Sequence, residues 1–183
     1  MNVKKIIAGA AILLALTTSM FAAKAKKSDK LKVVTTIFPE YDWTREIIGD
    51  NAKNVELTLL LGNGVDLHSY QPSIQDIAKI STADIFIYVG GESDGWVKDA
   101  LRNATNKNMK VINLMETLGD KVKAEEIKEG MQAEEEEDEV EYDEHVWLSL
   151  RNAKILCAEI AAALSAKDPA NATAYKANLA AYT

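Results

Sequence analysis

The chain has 183 residues, 48% of them hydrophobic and 27% charged, with a formal charge of -7 and a pI near 5.0. That composition belongs to a folded domain and excludes a collagen, a bundle of membrane helices and a wholly disordered chain. With 21 Lys and Arg against 28 Asp and Glu, no basic surface is available to displace counterions from a nucleic-acid backbone.

In chain order, MNVKK is a basic start followed by the apolar run Ile6 to Leu16 and then by Ala23-Lys24-Ala25, the pattern of a Sec signal peptide over residues 1–25. The run is shorter than the ~20 residues needed to span a bilayer and is diluted by Thr17, Thr18 and Ser19, so it does not read as an anchor. It contains no cysteine for lipidation. The expected location is therefore periplasmic or otherwise extracytoplasmic. Cys157, the one cysteine, lies among apolar neighbours in NAKILCAEIAAAL and is expected to be a buried, inert thiol.

LKVVTTIF is a β-branched run of strand length, and Pro39 then opens a helix over PEYDWTREIIGD that stops at Gly49. VELTLLL is a second strand. After a loop rich in glycine and polar residues, Ser73 and Asp76 form a capping box for the helix SIQDIAKIS. DIFIYV is a third strand, Gly90-Gly91 breaks the chain, GWVKDALRNAT reads as a helix and KVINL as a fourth strand. Nearly all-apolar strands alternating with helices predict an α/β fold: a parallel four-stranded sheet with helices on both faces.

Between Glu134 and Glu144 nine of eleven residues are acidic. Such a run repels itself and has nothing apolar to bury, so Glu134 to Glu144, within an acidic insertion at about 120–144, is expected to be solvated and dispensable for tight binding; the functional alternative is weak collection of cations at the mouth of a site. Order returns at HVWL and a helix from about Arg151 to Leu164, after which Asp168-Pro169 offers an N-cap and first-turn proline for a helix over ATAYKANLAAYT. That helix is still running at Thr183, so the sequence reads as a fragment.

Both histidines fall at informative places. His68 lies in LGNGVDLHSYQPS, directly after the second strand, where Gly62 and Gly64 permit sharp turns and Tyr70 and Pro72 stiffen the loop; His145 lies in YDEHVWL, directly before a helix. Loops at the carboxyl ends of parallel strands converge where open α/β folds bind ligands. Taken singly, His68 also reads as a surface loop residue and His145 as a hydrogen-bonded neighbour of Trp147. Rival chemistries have less support, since there is no G-x-S-x-G elbow and the Gly62-Asn63-Gly64 doublet lacks the third glycine of a dinucleotide fingerprint.

LHSYQPSIQDIAKISTADIFIYVGG resembles the signature of the metal-binding solute receptors of zinc and manganese ABC importers, with a histidine, an aromatic, Pro-Ser, a short helix, Ala-Asp and an apolar strand. YDEHVWLSLRNAKIL is similar to their second signature, and KVVTTIFPEYDWTREIIGD to their first strand and helix. The resemblance spans essentially the whole chain after the leader and implies a binding protein, not an enzyme, that takes Zn²⁺, or Mn²⁺, to a membrane permease. It aligns His68 and His145 with two metal ligands and implies further ligands on a second lobe beyond Thr183. On that pattern residues 26–168 are the N-terminal lobe and 169–183 the start of an interlobe helix, with the C-terminal lobe absent. The departures are Leu67, Glu144 and Ser149-Leu150, where the family often has a proline or acid, a proline and Asp-Pro; the acidic run also lacks the histidines of its counterpart in zinc receptors. The implied form is a monomer without nucleic-acid partners. The alternative is a surface adhesin or interaction protein on the same lobes.

Overall fold

The computed structural model describes residues 30–62, 64–124 and 142–183. The expected signal peptide and most of the acidic run, including Glu134 to Glu139, lie outside them. Four strands, β1 (Leu31–Thr35), β2 (Val55–Leu59), β3 (Ile85–Tyr88) and β4 (Lys110–Asn113), pair in parallel in the order β2-β1-β3-β4. The expected four-stranded parallel sheet is therefore observed.

Each strand sends alternate side chains to opposite faces, and both faces are covered. Val33, Ile85, Ile87 and Ile112 point into the larger core with α1 (Phe38–Ile48), α4 (Leu114–Leu118), α5 (Leu150–Lys167) and α6 (Ala172–Tyr182). Val34 and Phe86 point the other way, against Ile80 of α2 (Ile74–Ser81) and Val97 of α3 (Val97–Arg102). The chain leaves β1 in one direction through α1 and returns past it through α2 on the opposite face, as right-handed crossovers require. The reversal falls between β1 and β3, so the crevice at their carboxyl ends is the expected ligand position of such a sheet.

Local signals act as read in three places. Ser73 Oγ accepts from the Asp76 N–H at 3.2 Å while the Asp76 carboxylate accepts from the Ser73 N–H at 3.1 Å. Helix α1 ends at Gly49, whose φ of +53° suits glycine, and Asn178 of α6 donates to the Ile47 carbonyl at 2.9 Å, tying the two helices together. Cys157 is buried, and burial pushes its thiol up to about 11, which leaves it protonated and unreactive.

Two local expectations are corrected. Asp168 does not cap the last helix: Pro169–Asn171 forms a 3-10 turn, and the Asp168 carboxylate instead accepts from the buried Tyr175 hydroxyl at 2.7 Å and from Asn171. Asp143 and Glu144, the end of the acidic run, belong to the folded structure. An isolated antiparallel bridge joins Ala124 to Tyr142, and Glu144 is buried. Among the described residues no helix is long and apolar enough to cross a membrane.

Candidate metal centre

Three loops meet at the carboxyl edge of the sheet. His68 sits in a 3-10 turn, Leu67–Ser69, whose Asp66 carboxylate accepts the His68 backbone N–H at 2.9 Å. Leu67 and Tyr70 anchor this loop by burial, Tyr70 lying edge-on to Trp96 at 5.7 Å and donating its hydroxyl to Asp76 at 3.1 Å. Leu67, a departure in the sequence, thus serves as an apolar anchor for the turn that carries His68. His145 precedes another 3-10 turn, Val146–Leu148, and its ring lies 5.2 Å from that of Trp147.

The structure places the rings of His68 and His145 5.5 Å apart, centroid to centroid, at an interplanar angle of 51°. Both residues are exposed. The Nδ1 of His68 lies 2.9 Å from Ser93 Oγ, and the Nδ1 of His145 lies 3.0 Å from Asp143 Oδ1. Each ring is therefore held at one nitrogen, and Nε2 of each is left without a hydrogen-bond partner among the described residues. That is the arrangement of metal-binding imidazoles, in which the second nitrogen is held by an outer partner. Asp143 also accepts the His145 backbone N–H at 2.8 Å, and this bond leads in holding its carboxyl below the ordinary value. Among the described residues no group of three or more His, Cys, Asp or Glu side chains is arranged to hold an ion.

An open depression of about 720 Å³ adjoins His145 on the side of Val122 and Ile155. Lys121, Lys123 and Arg151 line it, which disfavours it as a seat for a free cation.

Three acids of this region are buried: Glu144, noted in the sequence only as a departure, and Glu40 and Asp94, which the sequence did not single out. Glu40 accepts from the N–H groups of Thr36 at 2.8 Å and Ile37 at 3.2 Å and closes the turn from β1 into α1. Asp94 accepts from the Gly90 N–H at 3.0 Å, while Glu144 accepts from the Ser93 N–H at 2.9 Å. Burial, with Glu144 as a lesser contributor, pushes the Asp94 carboxyl up to about 6. The signals that could have found Glu40 and Asp94 are a glutamate at the third position of an otherwise apolar helix start and an acid three residues after the Gly90-Gly91 break.

Burial raises Glu40 from an ordinary 4.5 to about 8, against the opposing pull of its backbone donors. The folded protein thus binds this proton more tightly than the unfolded chain. Its contribution to stability is complete below about 4.5, declines as pH rises and is gone above about 8. Glu40→Gln should flatten the dependence of the urea midpoint on pH between those two values. An unchanged profile would mean that Glu40 is ionised in the folded core.

A family model described as zinc-uptake complex component A, periplasmic (ZnuA), matches residues 33–183. The chain belongs to this family. It is 36% identical over 175 residues to the zinc-binding lipoprotein AdcA of Streptococcus pneumoniae, covering 93% of this chain and 34% of AdcA. It is 34% identical over 189 residues to the manganese ABC transporter substrate-binding lipoprotein PsaA of the same organism, covering 98% of this chain and 57% of PsaA. The crystal structure of Zn(II)-bound AdcA superposes with a TM-score of 0.64 at 33% identity, over 84% of this chain and 30% of that one. The chain thus spans between 30% and 57% of the length of these relatives. Their names lend the adhesin alternative no support.

Proposed function

We propose that this chain is the N-terminal lobe of an exported solute-binding protein, not an enzyme, that captures Zn²⁺, with Mn²⁺ as the alternative cargo, and delivers it to the permease of an ABC importer. The observation that carries the reading is the pair of imidazoles 5.5 Å apart at the carboxyl edge, each held at Nδ1 and free at Nε2. In it His68 and His145 are metal ligands, residues 26–168 form the lobe and 169–183 begin the helix that leads to a second one.

Neutral imidazole is a good ligand for Zn²⁺ and an acceptable one for Mn²⁺, but two donors leave a tetrahedral or larger shell incomplete. A second lobe closing over this edge supplies the remaining ligands, and the shape of the closed form tells the importer that the receptor is loaded. The edge itself supports a covering partner. Val65, Leu148 and Leu150, beside the histidines in sequence, and Phe38 at the start of α1 are large apolar side chains left exposed. The relatives include a zinc-binding and a manganese substrate-binding lipoprotein, which supports metal capture and leaves the choice of cargo to the donors the second lobe supplies.

Competition against a chromophoric chelator tests the reading. The chain by itself should bind zinc at least about a hundredfold, or about 2.8 kcal/mol, more weakly than a form carrying the second lobe. Equal affinities would mean that the complete site lies within residues 26–183.

A further inference from the structure

The two histidines stand on loops that are distant in sequence, yet one short relay joins them. Ser93 lies in the 3-10 turn Glu92–Asp94, between the loop of His68 and the segment of His145. Its Oγ is 2.9 Å from His68 Nδ1, and its backbone N–H donates to Glu144 Oε1 at 2.9 Å. Glu144 is bonded covalently to His145 and is only 9% exposed. It is wedged against Gly91, where an added Cβ would stand 2.6 Å from Glu144 Oε1. Asp94, the next residue after Ser93, is tied to the Gly90 N–H, so the serine is fixed from both sides.

We propose that Ser93 and Glu144 are positioning residues that set the two histidines against each other: Ser93 Oγ accepts the Nδ1–H of His68, and Glu144 holds Ser93 in register with His145. The proposal rests on the reading of His68 and His145 as metal ligands. A hydroxyl can donate or accept, so the direction of the bond is what matters. An imidazole that ligates through Nε2 needs its lone pair there and its proton on Nδ1. With Ser93 accepting, His68 presents Nε2 ready for an ion. With Ser93 donating, Nε2 would carry the proton and the ring could not ligate through it. His145 is held in the same sense by the carboxylate of Asp143, a stronger acceptor. The two ligands therefore have unequal support, one from a charge and one from a hydroxyl whose place depends on Glu144.

The imidazole ¹⁵N shifts of the metal-free chain decide the direction, and zinc competition reads the consequence. Wild type should hold His68 mainly as the Nδ1–H tautomer. Ser93→Ala should lose that preference and bind zinc about tenfold to a hundredfold more weakly. Ser93→Thr, which keeps the hydroxyl, should restore both to within about threefold, and Glu144→Gln, which keeps an oxygen for the Ser93 N–H, should keep the tautomer. A wild-type His68 protonated mainly on Nε2, a folded Ser93→Ala with unchanged affinity, or a threonine that fails to rescue would each overturn the proposal. Wild type that binds no zinc would sink the metal-binding reading instead, while the shifts still decide the role of Ser93.

Discussion

Replacing His68 or His145 by alanine should each lower zinc affinity by about a hundredfold or more, about 2.8 kcal/mol, in a form carrying both lobes. Each imidazole contributes a bond and also the geometry that lets the other donors reach the ion without reorganisation. Once either ring is gone the remaining one cannot hold an ion tightly, so the double replacement should cost less than the sum of the single ones. Both side chains are exposed, and the fold should survive with an unchanged urea midpoint. Chelator competition, together with circular dichroism, separates lost binding from lost structure. Retention of wild-type affinity within about threefold by either variant would remove that histidine from the site.

Gly91→Ala should destabilise the protein by about 3 kcal/mol, and should weaken zinc binding as well. Gly91 has φ +80° and ψ -165°, a conformation essentially reserved to glycine that costs about 1–3 kcal/mol in any other residue. The added methyl would also meet Glu144 Oε1 at 2.6 Å and its Cγ at 2.7 Å. Glu144 is buried against this loop and cannot yield without releasing the Ser93 N–H. Gly64→Ala is the control. Gly64 has φ +76° with nothing within 4 Å of the added carbon, so it should cost only the backbone term of about 1–2 kcal/mol. Equal urea midpoints for the two variants would show that Glu144 is free to move aside.

The adjoining loop explains why these effects coincide. Gly90 and Gly91 let the chain turn back on itself at the end of β3, which drops Asp94 under the sheet edge and lifts Ser93 to His68. A side chain at either glycine would push that turn outward. On the roles proposed for Ser93 and Glu144, stability and ligand geometry should respond together, because the residues that pin the loop also contact the His68 ring.

Much of the architecture was legible in the residues, since the signals act over a few positions. The apolar runs at Leu31, Val55, Ile85 and Lys110 became parallel strands, and the box at Ser73 and Asp76 formed as written. Helix α4 escaped notice because Leu114–Leu118 is only five residues long and follows β4 without a break, its start marked only by the Asn113 side chain accepting from Glu116. Asp168 had the right neighbours for a cap, but a buried tyrosine seven residues on claimed its carboxylate.

The site divides along the same line. His68 and His145 could be singled out on the chain because one lies in the loop after the second strand and the other directly before a helix, and because their surroundings resemble the signatures of a known family. Their separation of 5.5 Å depends on strand order and on how the segments carrying them pack against the Glu92–Asp94 turn, which no local pattern encodes. The burial of Glu144 ran against its setting in a run of acids that repel one another in water. Folding supplies what that run lacks, a backbone N–H 51 residues away and a glycine with no side chain in the way. Periodicity and capping report which face a residue occupies and where an element stops, as neighbours along the chain decide those; which side chains meet across loops is decided by packing of the whole sheet edge.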